Sequence, residues 1–217
     1  MSEEKQPGRR RSFWYGTARA LATVALHTVL PVRYHHAERL TGEPPMIVIG
    51  NHQSWLDPVV IGFAIKKRQV TFMGKKELAA NGLIRGILKE AGVILVDRHN
   101  TDMEAMRACM KALRSGEILG IFPEGTRHHE GVMREMETGV AMLALRSGAP
   151  VIPVLVPRLR WFHTVDCYVG EAIPTSDLRE QGVNTQTCQA LMERISARYE
   201  ALIEQNGMEY ALSLIHI

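Results

Sequence analysis

Between Met46 and Val156 the chain alternates short apolar runs with longer stretches of helical periodicity, and few folds accept that alternation. Met46–Gly50 reads as a buried strand and Pro58–Lys67 as a helix. A second strand is expected at Gln69–Met73, then a helical stretch from Lys76 to Glu90 and a third strand at Val93–Val96. Thr101-x-x-Glu104 forms a capping box, and Met103, Met106, Met110 and Leu113 make an apolar stripe closed by Gly116. These methionines read as core. Glu117–Phe122 is a fourth strand, Gly139–Arg146 a helix and Val151–Val156 a fifth strand. Arg160–Gly170 holds a further strand, and a helix over Thr185–Gln205 closes the pattern. Strands alternating with helices imply an α/β layer structure on a largely parallel sheet. Ligands of such sheets gather outside the carboxyl ends of the strands.

The amino-terminal part has a different character. Residues 1–12 are polar and basic, and are expected to be disordered. Phe13–Val32 is largely apolar and opens on Phe13, Trp14 and Tyr15, with Arg19, Thr23 and His27 forming one polar stripe at helical spacing. That pattern favours a helix lying in a membrane interface over a single span or a helix docked on the core. Pro31-Val32-Arg33-Tyr34 offers no small-residue cleavage site, so the segment reads as retained rather than as a signal peptide. The expected division is a tail at 1–12, a membrane-associating segment at 13–40 and one α/β domain at 41–217. A mean hydropathy of −0.08 argues against a multi-spanning protein. Net charge is only +3, but Arg9–Arg11 and the group Lys66, Lys67, Arg68, Lys75 and Lys76 concentrate it. Such clusters suit an anionic surface or a phosphate-bearing substrate, or are merely solvated faces. Cys109, Cys167 and Cys188 have neither zinc spacing nor an even count, which favours a reducing compartment.

Two motifs sit at expected strand ends. The first is Asn51-His52-Gln53-Ser54-Trp55-Leu56-Asp57-Pro58. In a tight strand-to-helix turn, Asp57 can hold one imidazole nitrogen of His52 and leave the other to take a proton from a hydroxyl. Taken alone, the pair reads equally well as structure: Asp57 as an N-cap before Pro58, and His52 as a buried turn residue. The second motif is Phe122-Pro123-Glu124-Gly125-Thr126-Arg127. Gly125 lets backbone approach a ligand, Thr126 supplies a hydroxyl, and Arg127 supplies a fork of donors for phosphate. An ordinary loop with a surface salt bridge is its plain alternative.

Together these blocks resemble the first and third signature blocks of the glycerolipid acyltransferase family, most nearly its bacterial 1-acylglycerol-3-phosphate acyltransferase type. Lys75-Lys76-Glu77-Leu78 with Gly92–Arg98 resembles the second block, and Val151-Ile152-Pro153-Val154 the fourth. The resemblance covers about residues 45–157. It implies a central sheet wrapped by helices, preceded by a membrane-contacting helical element. It implies His52 as general base and Asp57 as its orienting carboxylate. Glu124, Gly125, Thr126 and Arg127 would shape the acceptor site, with Lys75 and Arg98 as further phosphate contacts. The donor would be acyl-coenzyme A or acyl-acyl carrier protein, with no other cofactor. The acceptor would be 1-acylglycerol 3-phosphate, giving phosphatidic acid at an anionic membrane surface on the cytoplasmic face of the inner or plasma membrane, with another lysophospholipid or glycerol 3-phosphate as the alternative acceptor. One departure is Met136-Glu137-Thr138-Gly139, where the family often has a lysine. Another is His128, in place of a small residue.

Other chemistries fit less well. A serine hydrolase lacks its G-x-S-x-G elbow here, and Ser54 and Cys109 have no nucleophile context. The pairs His35-His36 and His128-His129 have no spaced third ligand, so no metal site is expected. A non-enzymatic membrane-binding module would account for the arginines but not for both motifs. Nucleic acid is not an expected partner.

Overall fold

The computed structural model describes residues 28–41, 45–65, 68–96, 102–125, 136 and 138–207. Its strands are β1 (Val32–His35), β2 (Met46–Gly50), β3 (Val70–Lys75), β4 (Ile94–Val96), β5 (Ile118–Ile121), β6 (Val151–Leu155) and β7 (Val165–Val169). The helices are α1 (Asp57–Ala64), α2 (Gly82–Glu90), α3 (Asp102–Arg114), α4 (Gly139–Ser147), α5 (Ser176–Glu180) and α6 (Thr185–Gln205). The strands form one sheet in the order β1-β7-β6-β2-β5-β3-β4. Every pairing is parallel except β6 with β7. The fold is therefore the expected α/β layer structure.

The central strands are apolar throughout because both their faces are covered. Ile47 and Ile49 of β2 join Leu119, Ile121, Val151 and Leu155 under α3, α4 and α6. Met46 and Val48 turn the other way, with Ile118, Ile152 and Val154, onto Val60 and Ile61 of α1. Two glycines let layers touch. A Cβ on Gly120 would lie 2.2 Å from Phe72 Cε1, and one on Gly50 2.3 Å from Ile61 Cδ1. The cysteines are buried and free.

Several expectations are corrected. Val32 does not end a helix. Thr28 and Val29 are helical, but Val32–His35 is an edge strand whose partner is Val165–Tyr168. The sheet thus begins before the expected boundary at residue 41, while residues 1–27 lie outside the described residues. The stretch from Lys76 to Glu90 is broken: Lys76–Ala79 is a 3-10 turn, and α2 starts only after Ala80-Asn81. Asn81 and Gly82 form this break, with Arg85 N–H donating to Asn81 C=O to begin the new helix. Met103 is exposed, whereas Met106 and Met110 pack on the core with Cys109 and Leu113. Thr101 lies outside the described residues. Among the described residues, no helix is long and apolar enough to cross a membrane.

Candidate active site

At the carboxyl end of β2 the chain leaves the sheet through Asn51 and turns into α1. Asn51 is fully buried, a costly place for an amide unless both its ends are bonded. Its NH2 donates to Val156 C=O at 2.8 Å and its oxygen accepts from Val156 N–H at 2.8 Å. This bidentate contact ties the end of β2 to the end of β6. From α6, Tyr199 donates its hydroxyl to Ile49 C=O at 2.7 Å.

Asp57 is also buried, and its carboxylate is turned back into the loop. Oδ2 accepts from Gln53 N–H at 2.7 Å, from Ser54 N–H at 2.6 Å, and from His52 Nδ1 at 3.1 Å. The N-cap of α1 is Leu56, with no side-chain cap, and Pro58 fills the first turn. Asp57 is therefore not an ordinary N-cap; its carboxylate organises the turn and faces the imidazole. With Nδ1 engaged as donor, His52 presents Nε2 as the acceptor nitrogen. The His52 ring is part-exposed and stacks on Phe122, with centroids 4.3 Å apart. Phe122 stacks in turn on Phe72 at 5.8 Å.

The second motif follows β5, which pairs with β2 so that Ile49 faces Ile121. Phe122 to Gly125 turn sharply there: Gly125 has φ 64 and donates its N–H to Phe122 C=O at 3.0 Å. That left-handed backbone suits glycine. Glu124 is buried; burial of the Tyr199 hydroxyl, and after it the Glu124 charge, push that hydroxyl well above its usual pKa. Lys75 ends β3 opposite Val96, on the same carboxyl edge. His52, Asp57, Glu124 and Gly125 are thus brought to one edge of adjacent strands. Arg98, Thr126, Arg127, His128 and Glu137 lie outside the described residues.

Three contributors had no assigned role in the sequence reading. Asn51 stood in a motif as a polar residue directly after an apolar run, which was its available signal. Phe122 and Tyr199 act across the fold, so only the pairing of β5 and the docking of α6 reveal them. Ser54 accepts Leu56 N–H with its hydroxyl and supports the turn, while burial pushes the Cys109 thiol up to about 12. His35 pairs with Asp166 at 2.7 Å and stacks on Tyr168, and among the described residues no cluster could hold a metal ion. A cleft of about 470 Å³, lined by Thr71, Lys89, Lys111 and Glu117 among others, opens at the amino edge, away from His52.

A family model described as "Acyltransferase" matches residues 31–157. The chain belongs to the acyltransferase family. It is 34% identical over 122 residues to the 1-acyl-sn-glycerol-3-phosphate acyltransferase of Bacillus subtilis, covering 56% of this chain and 60% of that protein. It is 28% identical over 184 residues to the enzyme of the same name from Streptococcus pneumoniae, covering 79% and 66%. A third relative is human 1-acyl-sn-glycerol-3-phosphate acyltransferase beta, 29% identical over 184 residues, with 78% and 66% covered. The chain spans less than two thirds of the length of each of these relatives. The crystal structure of the 1-acyl-sn-glycerophosphate acyltransferase of Thermotoga maritima superposes with a TM-score of 0.63 at 18% identity, covering 89% of this chain and 83% of that one. This acyltransferase-family chain therefore shares that enzyme's fold.

Proposed function

We propose that the chain transfers a fatty acyl group from acyl-coenzyme A or acyl-acyl carrier protein to the free hydroxyl of 1-acylglycerol 3-phosphate, giving phosphatidic acid. The observation that carries this proposal is the His52 Nδ1 to Asp57 Oδ2 contact at the carboxyl edge, beside the Glu124 turn. The names of the relatives support the acceptor.

The acceptor alcohol is a poor nucleophile at neutral pH. His52 Nε2 takes its proton as the oxygen attacks the thioester carbonyl. Asp57 keeps the imidazole in the required tautomer and stabilises the imidazolium that forms. Collapse of the tetrahedral intermediate breaks the carbon–sulfur bond, and the departing thiolate recovers the proton from His52. An ester and a free thiol result. No covalent acyl-enzyme forms, and no cofactor is needed, because only an acyl group and a proton move. Arg127, with Lys75 and Arg98, binds the acceptor phosphate beside the Glu124–Gly125 turn. The protein works on the cytoplasmic face of a membrane, where Arg9–Arg11 meet anionic headgroups at roughly 1 kcal/mol each.

The test is thioester consumption by the full chain with each donor and a panel of acceptors, comparing wild type with His52→Ala. The expected result is turnover with lysophosphatidate and a loss of about 10²–10⁴-fold in the variant. A folded His52→Ala protein working at the wild-type rate overturns the mechanism. Preference for another acceptor overturns the substrate assignment.

A further inference from the structure

Beyond the site, the carboxyl edge carries a second feature. After β6 the chain runs through residues 156–164 before β7 starts. The Asn51 clamp on Val156 fixes the start of this loop to the His52 turn. Its sequence from residue 157 is Pro-Arg-Leu-Arg-Trp-Phe-His-Thr, with two arginines and no acidic residue. Arg158, Arg160 and His163 are exposed, as are Trp161 at 55% and Phe162 at 74%. Phe162 has φ 60, a backbone conformation that side-chain-bearing residues avoid. Its N–H donates to Val29 C=O at 2.6 Å, and His163 Nδ1 bonds Trp161 C=O at 2.9 Å. A water-facing loop has no use for two adjacent exposed aromatics, one of them held at positive φ.

Trp55, in the His52 turn, is 67% exposed, and every exposed Phe, Trp or Tyr among the described residues is one of these three. Tryptophan favours the headgroup level of a bilayer, and arginine is drawn to anionic headgroups. The charge and the apolar surface therefore fit one partner.

We propose that residues 157–164, with Trp55, form a docking surface for an anionic lipid bilayer. Trp161 sits at the boundary between headgroups and acyl chains, Phe162 enters below it, Arg158 and Arg160 contact lipid phosphates, and the His52 turn is held at the surface. This contact is made by the loop's own side chains, although its backbone is joined to the end of the amino-terminal segment at Val29. It rests on the proposed lipid acceptor for its purpose, but not for its chemistry.

The test uses the full chain with vesicles of phosphatidylcholine plus phosphatidylglycerol, or of phosphatidylcholine alone. Trp161→Ser with Phe162→Gly should lower partitioning to either vesicle by about tenfold or more. Arg158→Gln and Arg160→Gln should each lower it about fivefold on the anionic vesicles only. In a chain whose sole tryptophan is Trp161, made with Trp14→Phe and Trp55→Phe, lipids brominated on the acyl chain should quench the fluorescence. Unquenched emission, unchanged partitioning of the folded aromatic variant, or conversion of an oligomer to a monomer with vesicle binding intact each overturns the proposal. Acyl transfer to a short-chain, monomerically dispersed acceptor separates the two readings. If the loop binds lipid but wild type transfers no acyl group, docking stands and the acyltransferase assignment falls. If wild type transfers acyl groups but the loop variants bind vesicles as tightly, docking falls alone.

Discussion

Replacing Asp57 by asparagine keeps the shape of the turn and removes its charge. In the structure Oδ2 gathers two backbone N–H groups and His52 Nδ1, while Oδ1 is buried with no hydrogen-bond partner among the described residues. An asparagine oxygen at the Oδ2 position keeps those bonds but makes them neutral. Hydrogen bonds to charged groups contribute about 1.5–3 kcal/mol and neutral ones about 0.5–1.5. The two backbone contacts together should therefore lose about 2 kcal/mol of stability, a fall in Tm of roughly 4–8 °C. The chemical loss should be larger. The imidazolium formed during proton transfer has no counter-charge in the variant, and the buried amide NH2 competes for the Oδ2 position. In that second orientation Nδ1 must accept, so the protonated nitrogen becomes Nε2 and the base is lost. General-base help of about 10²–10⁴-fold is then at stake, and kcat should fall by that order with little change in KM for either substrate. Steady-state kinetics with varied donor and acceptor, alongside thermal unfolding, measure both quantities. A folded variant with wild-type kcat and only the lower Tm would return Asp57 to a purely structural role.

Gly120→Ala places a Cβ against Phe72, at the far end of the Phe72–Phe122–His52 stack. It should cost about 1–3 kcal/mol by overpacking and lower kcat by roughly tenfold or more through a displaced imidazole, read by melting and kinetics. Arg127→Lys keeps the charge but loses the bidentate fork, so the apparent affinity for the acceptor should weaken while that for the donor holds; a selective donor defect refutes the phosphate role. The hydrogen bond from Arg194 holds the Asp177 carboxyl down to about 2 from the usual 3.8. Because the folded value is the lower one, this contribution is complete above about pH 4 and is lost as pH falls toward 2. Urea midpoints of wild type and Arg194→Gln should therefore differ more above that window than below it, where only the Arg194 bond to Pro174 C=O remains.

Where local pattern decides structure, the sequence was sufficient. Met46–Gly50 is apolar at every position, and Thr185–Gln205 follows an Asn184 cap that bonds Thr187 N–H, so both elements occur where expected. Val32–His35 was misread because it continues an apolar run, and only β7, 133 residues away, makes it a strand. The split before α2 lay in Asn81-Gly82, a turn signal outweighed by the apolar residues around it. His52 and Asp57 were legible as a pair, but not their relation. Whether Asp57 caps the helix or faces the imidazole depends on the backbone of Leu56 and on which N–H groups the carboxylate reaches. Phe122 and Tyr199 reach the site only through strand pairing and helix docking, which no short motif encodes.

The pairing of β1 with β7 also sets an order of events on the ribosome. At ~5–20 residues per second, the chain waits on the order of ten seconds between completing His35 and synthesising Val165. During that interval β1 has no partner strand. The Tyr199 bond to Ile49 comes later still, so the turn carrying His52 gains its last brace only when α6 has been made. The sheet is therefore completed from its β4 edge toward its β1 edge, and its first-made strand is among the last to be seated.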